Sequence, residues 1–380
     1  MNKEYIPFIA VIEDVTKVAR KIEKSNYLVD GKYPIIDQGK NDIAGYAQER
    51  EGLFGDVPAI IFGDHTRIIK YVDMPCFIGA DGVKLLRVKS TYANDFDYKF
   101  LYYYFSYQNI PDTGYNRHFK WLKAINILKL TLETQHQIAA TLDKASELIS
   151  LRKKQLQKLD TLAESVFYDM FGDPVKNEKG WKTQTISSLI DNKPNSLKRG
   201  PFGGALKKEI FVNSGCLVYE QYHALNNDYS FARYFITEEK YNELKSFAVN
   251  SDDIIISCSG VNLGRLSIVP KKTMKGIINQ ALLKLSLNQK KMRNNVFVRI
   301  FECESFKNKY FGNQRGCAIP NFPPMSDFRK FEFPLPPIEL QNKFVDIIEK
   351  IEQQKNLAKK ALQESEDLFQ RLMQDLFRIE

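Results

Sequence analysis

The chain has 380 residues, a formal net charge of +9 and a hydrophobic content of 43%. This length allows roughly two or three domains with cores of their own. The sequence contains no apolar run of ~18 residues that could span a membrane and no signal-peptide pattern, so we expect a cytoplasmic protein. The positive charge favours a polyanionic partner without requiring one. Five dispersed cysteines and four histidines lack metal-ligand spacing, which favours reduced, buried thiols and argues against disulfides and a metal site.

Residues 1–130 are predicted to form a first mixed α/β domain. Turns containing glycine, asparagine or aspartate separate short apolar runs, which predict strands at 33–36, 58–62, 67–72 and 83–88. The aromatic segment 100–107 predicts a short helix. A polar, basic and aromatic loop at 113–120 follows it.

Residues 131–173 are predicted as a first long helix. Its apolar side chains recur at alternating steps of three and four, which is typical of a coiled-coil seam. The one polar member of this series is Arg152, and Gly172 and Pro174 end the helix. The apolar members are Ile138, Leu142, Ala145, Ile149, Leu156, Leu159, Ala163, Val166 and Met170.

Residues 174–336 are predicted as a second domain of similar size and plan. It contains a glycine-rich basic loop at 197–204, strands at 253–257 and 277–285, and a second exposed loop at 311–321. Three segments correspond in order to the first domain. They pair 58–62 with 253–257, 76–88 with 276–285, and 113–120 with 312–321.

Residues 337–380 are predicted as a second long helix with the same seam spacing. Its polar seam members are Lys355 and Ser365, and we expect all three polar members of the two seams to weaken the helix pair and fix its register. The apolar members are Phe344, Ile348, Ile351, Ala358, Leu362, Phe369, Leu372 and Leu376.

The two long helices are copies of each other. Glu133 and Gln135 reappear as Glu339 and Gln341, and the C-terminal pair Asp169 and Phe171 reappears as Asp375 and Phe377. Every pair is separated by 206 positions, the difference between 339 and 133, and such a repeat indicates duplication. The predicted fold is therefore α+β: two mixed α/β domains separated by two long helices packed as an antiparallel coiled coil, with pseudo-twofold internal duplication.

Glycine-containing basic loops are the candidate binding elements of both domains. Glycine lets the backbone approach a ligand closely, Arg and Lys can bridge guanine, and Gln and Asn can bridge adenine. For any single loop a solvated turn is the alternative, but several such loops on a duplicated frame favour DNA recognition. The candidate DNA-binding residues are Lys40, Asn41, His65, Thr66, Arg67, Tyr115, Arg117, Lys120, Lys198, Arg199, Ser259, Arg265, Gln280, Gln314 and Arg315.

The loops carry no motif for chemistry. The loop at 197–204 lacks the Gly-Lys-Ser/Thr ending of a phosphate-binding loop. Asp64 and His65 have no nucleophile near them and are more typical of a turn. Neither a methyl-donor glycine loop nor a nuclease carboxylate cluster is present. We therefore expect no catalytic residues, no cofactor and no metal.

Several segments together resemble the specificity subunit of type I restriction–modification systems. The resemblance spans the whole chain, and the proline-rich start of the second long helix is its most specific part. The chain departs from the family pattern at 6–14, where a Trp-Lys pair is expected. The segments that resemble the family are 171–174 with 180–182, 198–203, 278–281, 316–320 and 335–341.

The resemblance implies a division of labour between subunits. The two domains would be target recognition domains that each read half of a bipartite, non-palindromic site in double-stranded DNA. The helices would hold them apart and dock two methyltransferase subunits and the restriction subunits, which perform the chemistry. Two alternatives remain open from the residues alone. One is a methyltransferase or nuclease with unrecognised motifs, and the other is a coiled-coil adapter whose long helices bridge proteins and whose domains bind peptides. An adapter should show no steep salt dependence when it is mixed with random duplex DNA.

Overall fold

The computed structural model describes residues 4–79, 81–260, 262–312 and 322–378. The chain divides into two compact units. The first unit is Met1–Gln155 together with Ala358–Glu380, and the second unit is Leu156–Leu357. Each long helix therefore contributes part of its length to each unit.

The first unit is built from short strands followed by helices. Its elements in chain order are β1 (Glu4–Pro7), α1 (Phe8–Val11), β2 (Ile12–Asp14), β3 (Lys21–Ile22), β4 (Tyr33–Ile36), β5 (Gly45–Ala47), β6 (Ala59–Gly63), β7 (Ile69–Val72), β8 (Phe77–Gly79), β9 (Val83–Val88), α2 (Tyr98–Tyr107), α3 (Phe119–Lys123), β10 (Asn126–Lys129) and α4 (Leu132–Phe171).

Three sheets organise the first unit. An antiparallel sheet has the order β2-β9-β6-β7, a mixed sheet has the order β3-β8-β4-β5, and β1 pairs with β10. One core lies between the two four-stranded sheets and includes Ile36, Ile78 and Leu85. The larger core covers the other face of the antiparallel sheet with α2 and the long helices. The alternating side chains of β6 and β9 thus fill a different core on each face.

The second unit repeats this arrangement. Its elements are β11 (Thr183–Thr185), α5 (Ile186–Leu189), β12 (Leu197–Arg199), β13 (Cys216–Tyr219), α6 (Gln221–Asn226), β14 (Phe235–Ile236), α7 (Glu238–Glu243), β15 (Ile254–Ser257), β16 (Leu266–Ile268), β17 (Gly276–Ile278), β18 (Leu282–Leu285), α8 (Asn294–Glu302), α9 (Glu304–Phe311), α10 (Met325–Phe328), β19 (Glu332–Pro334) and α11 (Ile338–Phe377).

The sheets of the two units correspond, except that β3 has no equivalent strand among the described residues of the second unit. The antiparallel sheet β12-β18-β15-β16 has the same order as β2-β9-β6-β7. The parallel pair β13–β17 and the antiparallel pair β13–β14 correspond to β4–β8 and β4–β5. The pair β11–β19 corresponds to β1–β10. The predicted α+β fold with internal duplication is confirmed.

One strand prediction is wrong. The segment 277–285 was expected to be a single strand, but it forms the two strands β17 and β18, which belong to different sheets. Between them the Asn279 side-chain oxygen accepts the Ala281 backbone N–H at 3.0 Å, and this local turn interrupts the extended chain. The apolar run continues because both strands are buried, so its hydrophobicity conceals the break.

The two long helices pack in antiparallel fashion, through predicted seam residues such as Ile138, Leu142 and Phe344 and through neighbouring side chains that the seam prediction did not include. In the first unit Ile138 and Leu142, near the start of α4, share a core with Met373 and Phe377, near the end of α11. In the second unit the rings of Phe171 and Phe344 are 5.1 Å apart, which brings the end of α4 to the start of α11. Burying each such side chain contributes about 1.5–3 kcal/mol relative to exposure.

The polar seam residues are satisfied to different degrees. Lys355, with a side chain only 14% exposed, pairs with Asp160 at 2.8 Å and Glu352 at 2.9 Å. Burial alone would lower the pKa of Lys355, but these two carboxylates outweigh burial and raise it. The hydroxyl of Ser365 donates to the Ala361 carbonyl. Arg152 has a buried Nε without a hydrogen-bond partner among the described residues.

A repeated glutamine fixes the start of each long helix. Gln135 is fully buried; its oxygen accepts the Asp97 backbone N–H, and its nitrogen donates to the carbonyls of Asp95 and Leu130. Asp97 is the residue that precedes α2. The amide therefore ties the long helix to the chain on both sides of α2.

Gln341 makes the same three bonds in the second unit. Its oxygen accepts the Arg293 N–H at 2.8 Å, and its nitrogen donates to the carbonyls of Lys291 and Pro336. Gln341 is also fully buried. The sequence repeat of this glutamine thus corresponds to a repeated structural role.

We predict that Gln341→Met lowers the free energy of unfolding by about 2 kcal/mol or more, because the backbone groups of Lys291, Arg293 and the buried Pro336 lose the partner that the buried amide provides. Methionine keeps the side-chain length, so the loss reports the amide. Denaturant unfolding of the purified chain measures it. Gln354→Met, at an exposed position of the same helix, is the matched control and should change stability by less than about 0.5 kcal/mol. Equal effects of the two substitutions would contradict the proposed role of the amide.

Candidate nucleic-acid interface

The described candidate residues gather at the same edge of the antiparallel sheet in each unit. In the first unit β6 ends at Gly63, which pairs with Val83 at the start of β9. In the second unit β15 ends at Ser257, which pairs with Leu282 at the start of β18. The turns that leave β6 and β15 therefore occupy equivalent places in the repeated fold.

In the first unit the turn after β6 is locked to the loop before α3. The buried Asp64 accepts the Phe119 N–H through its carboxylate at 2.8 Å, and its carbonyl accepts the His118 N–H at 2.8 Å. The His118 ring is fully buried and contacts the same carbonyl at 3.0 Å. Asp64 and His118 therefore shape the loops and are not presented to a ligand.

His65 and Tyr115 form an aromatic pair at this edge. Their rings are stacked with centroids 4.8 Å apart and planes 6° apart, and His65 Nδ1 lies 3.2 Å from the Asn116 carbonyl. Tyr115 is 86% exposed. The stack thus holds a large aromatic side chain in a defined position on the surface.

Arg67 connects the turn after β6 to the loop before α3. It has a left-handed backbone, with φ of 62°, and its guanidinium donates to Asp112 at 2.6 Å and to the Ile110 carbonyl at 3.2 Å. The Gly114 backbone N–H and then the Arg67 charge lower the pKa of Asp112. Two guanidinium nitrogens of Arg67 are therefore hydrogen-bonded to other residues of the protein.

The remaining candidates of the first unit are exposed. Lys40 and Asn41 lie on the loop after β4, where the Lys70 ammonium donates to the Asn41 carbonyl at 2.5 Å. Thr66 donates to the Gln38 carbonyl at 2.7 Å. Arg117 and Lys120 are solvent-exposed, and the Lys120 ammonium lies 5.2 Å from the Trp121 ring. We call the segments 38–41, 63–67 and 112–120 the first recognition surface.

In the second unit Lys198 and Arg199 end β12 beside the same edge. The Lys198 ammonium lies 5.0 Å from the Phe247 ring, and the Arg199 guanidinium lies 5.3 Å from the ring of Phe202, which is 67% exposed. The next residue, Gly200, bonds through its N–H to the Leu282 carbonyl. A Cβ added at Gly200 would collide with the neighbouring backbone, so glycine is required here.

Ser259, Arg265 and Gln280 complete this edge. Gln221 donates to the Ser259 carbonyl at 2.8 Å, and Arg265 and Gln280 are exposed. We call the segments 198–202, 257–260, 262–265 and 279–281 the second recognition surface. Gln314 and Arg315, together with the rest of the loop 313–321, lie outside the described residues.

Lys307 on α9 is a half-buried cation that the sequence did not single out. Burial lowers the pKa of Lys307, Glu302 opposes this shift, and the positive charge of Arg265 adds to it. The sequence around Lys307 shows neither a regular apolar spacing nor a known motif. It therefore gives no signal that would select this lysine.

Gln38 and Gln221 are the other residues that sequence reasoning missed. Each follows an apolar strand and contacts the turn after the central strand of its unit. A signal was present, since both stand directly after an acidic residue at the end of a strand. The two dipeptides are 183 positions apart, the difference between 220 and 37. The long helices repeat at 206 positions, so a comparison at that spacing does not align the dipeptides.

Other types of site have less support in the described residues. No group of three or more His, Cys, Asp or Glu side chains among them is placed to hold a metal ion, and no helix among them is long and apolar enough to cross a membrane. The cysteines Cys76, Cys216, Cys258 and Cys303 are free and buried, as predicted. Burial raises the pKa of Cys258 to about 12, so this thiol is protonated at neutral pH.

Comparison with protein families finds a match to both units. The family model described as the type I restriction modification DNA specificity domain matches residues 10–161 and 203–366. These two segments cover most of both units. Comparison with curated protein sequences finds no match.

Among the solved structures with a similar fold are two from type I systems. The crystal structure of the type I restriction-modification system S subunit from M. genitalium has 17% sequence identity and a TM-score of 0.60, covering 100% of this chain and 97% of that chain. A chain from a study of complex assembly and conformational transition of the type I R-M system has 14% identity and a TM-score of 0.55, covering 97% of each chain.

We predict that Arg67→Ala and Arg117→Ala differ in their effect on the loop before α3. Loss of the Arg67 bonds to Asp112 and Ile110 should speed amide hydrogen exchange across 112–116. Arg117 is exposed and makes no hydrogen bond or ion pair with the described residues, so its replacement should leave exchange unchanged. Exchange measured by mass spectrometry on the full chain tests this. Equal protection in both variants would mean that Arg67 does not hold the loop.

Proposed function

The chain belongs to the type I restriction modification DNA specificity family, and on this premise we propose that it selects the DNA sequence on which a type I restriction–modification complex acts. The observation on which the proposal depends is the repeated sheet edge with unlike loops. Both units present basic and amide side chains at equivalent positions, and these side chains suit contacts to base edges and phosphates. The net charge of +9 adds attraction to DNA.

We propose that each recognition surface reads one half of a bipartite site. The turn after β6 reads Gly-Asp-His-Thr-Arg, whereas the described part of the turn after β15 contains Ser259, Gly260, Asn262 and Arg265. Because the two side-chain sets differ, the half-sites should differ as well, and the whole site should not be palindromic.

We propose that the long helices set the spacing between the half-sites. Both α4 and α11 are unbroken over 40 residues, which at ~1.5 Å per residue is about 60 Å. B-DNA turns once in about 34–36 Å. We propose that helices of this length let the two recognition surfaces meet different major grooves and leave the bases between the half-sites unread.

We propose that the long helices also dock two methyltransferase subunits. Exposed leucines on the two helices occur in pairs at the repeat spacing of 206: Leu151 with Leu357, at 54% and 63% exposure, and Leu162 with Leu368, at 47% and 48%. Equivalent apolar side chains at equivalent positions suit two copies of one partner. Methyl transfer and DNA cleavage are assigned to the methyltransferase and restriction subunits, so this chain supplies recognition only.

We predict one methylated motif when the chain is produced with its methyltransferase subunits in a host without other modification systems. The motif should consist of two short specified blocks around an unspecified spacer of fixed length. Sequencing that detects methylated bases measures it, and cells without this chain should show no motif. A contiguous or palindromic motif would contradict the proposal.

Lengthening both helices tests the spacing role. We predict that one heptad inserted after Ser150 and another after Asn356, positions equivalent under the repeat, lengthen the spacer by about three base pairs, since seven residues add ~10 Å. Both blocks should keep their sequence. The matched control inserts seven residues into one helix only, which disrupts the pairing. Altered blocks in the double insertion would show that the helices do not set the spacing.

A further inference from the structure

Gln38 and Gln221 occupy equivalent positions in the two units. In the first unit Ile36, the last residue of β4, pairs in parallel with Ile78, and in the second unit Tyr219, the last residue of β13, pairs in parallel with Ile278. An acidic residue and then a glutamine follow in both cases: Asp37-Gln38 and Glu220-Gln221. The carboxyl ends of parallel strands are common sites for ligand-positioning residues.

Gln38 holds the turn after β6 as a hydrogen-bond acceptor. Its side-chain oxygen accepts the His65 backbone N–H at 3.1 Å, and its own carbonyl accepts the Thr66 hydroxyl at 2.7 Å. Gly63 lies so close that an added Cβ would be 2.9 Å from the Gln38 Cβ. The His65 ring in turn stacks on Tyr115. By holding the His65 backbone, Gln38 therefore helps to orient this aromatic pair.

Gln221 holds the turn after β15 as a hydrogen-bond donor. Its amide nitrogen donates to the Ser259 carbonyl and to the Ser257 hydroxyl, both at 2.8 Å. Ser257 is fully buried and ends β15. The amide thus bridges the last residue of the strand and the turn that follows it.

We propose that Gln38 and Gln221 are equivalent positioning residues, each of which fixes the shape of one recognition turn, with opposite hydrogen-bond polarity in the two units. The role of the turns in reading DNA rests on the function proposed above, but the positioning itself does not. One end of each amide is bonded to the turn: the side-chain oxygen of Gln38 and the side-chain nitrogen of Gln221. In this proposal each glutamine acts on sequence selection by holding the shape of its turn.

The opposite polarity separates the two glutamines in experiment. Glutamate keeps an acceptor and loses the donor, so Gln38→Glu preserves the bond to the His65 N–H. Gln221→Glu places a carboxylate oxygen against the Ser259 carbonyl, and two acceptors repel. Methionine, which is similar in length and has neither group, removes the bond at either position. These four substitutions form a matched set.

The first measurement is amide hydrogen exchange on the full chain by NMR or mass spectrometry. Gln38→Met should speed exchange of the His65 amide about five- to ten-fold, and Gln38→Glu should leave it near the wild-type rate. Gln221→Met and Gln221→Glu should both speed exchange of the Leu263 and Gly264 amides, which bond to Gly260 and Ser257. Equal protection in all four variants would overturn the positioning role.

Controls and cross-effects sharpen this measurement. Gln48→Met and Gln353→Met replace exposed glutamines in the first and second units and should leave both turns unchanged. Variants at Gln38 should leave the turn of the second unit unchanged, and variants at Gln221 should leave the turn of the first unit unchanged. A change in both turns with either variant would indicate general destabilisation and would overturn the proposal.

The second measurement maps the methylated motif with each variant in the assembled complex. Gln38→Met should relax base preference in one half of the motif only, and both Gln221 variants should relax the other half. Relaxation of both halves by one variant, or of neither half by any, would overturn the specificity role. A wild-type chain that gives no bipartite motif would instead refute the proposed function, while the exchange experiment would still decide whether the glutamines hold the turns.

Discussion

The three-bond anchor made by one buried glutamine at the start of each long helix is the contact on which the arrangement of each unit depends. Gln135 and Gln341 bond only to backbone groups. Their partners can therefore change side chain without breaking the anchor, and they have done so, since Asp97 stands where Arg293 stands in the other copy. The neighbouring contacts changed with them: Asp97 lies 3.7 Å from His136, whereas Arg293 donates to Asn342. A backbone-directed anchor allows the surroundings to diverge while the geometry is kept.

The same separation of frame and surface holds at the candidate interface. The strands that carry the recognition turns are buried on both faces, so most of their side chains are apolar. The turns carry exposed side chains such as Thr66 and Arg265, and each turn is fixed by its own set of bonds. In the first unit Asp64 ties the turn to the loop before α3, whereas in the second unit Gln221 ties it to the end of its strand. Two different devices thus produce a defined loop at the same edge of the same sheet.

Much of this fold could be predicted because the long helices contain no insertion. Their repeat keeps one spacing of 206 over the whole length, and their apolar seam is periodic. Inside the domains the spacing changes: Asp97 corresponds to Arg293, 196 positions later, and Ile36 corresponds to Tyr219, 183 positions later. Insertions in the loops cause these differences. A comparison at one spacing therefore finds the helices and misses Gln38 and Gln221.

The sequence predicts which types of residue form the candidate site, but it does not predict what each residue does there. Arg67, Arg117 and Arg199 look alike in sequence, since each is a cation near glycine. In the structure Arg67 holds a neighbouring loop, Arg117 is exposed, and Arg199 lies against an exposed aromatic ring. These differences depend on contacts with residues far away in the chain, such as Asp112. The break between β17 and β18 was hidden for a related reason, because burial in two different sheets gives one continuous apolar run.

Three polar residues interrupt the apolar seam of the two long helices. Arg152, Lys355 and Ser365 all lie near residues 155–156 and 357–358, where the chain divides into its two units. Their counterparts at the repeat spacing are apolar: Ala358 for Arg152, Ile149 for Lys355 and Leu159 for Ser365. The large aromatic contacts lie instead toward the helix ends, at Phe171 with Phe344 and at Phe377 with Phe100. Apolar burial is thus concentrated where each helix meets a domain, and the middle is stabilised by ion pairs such as Lys153 with Glu366.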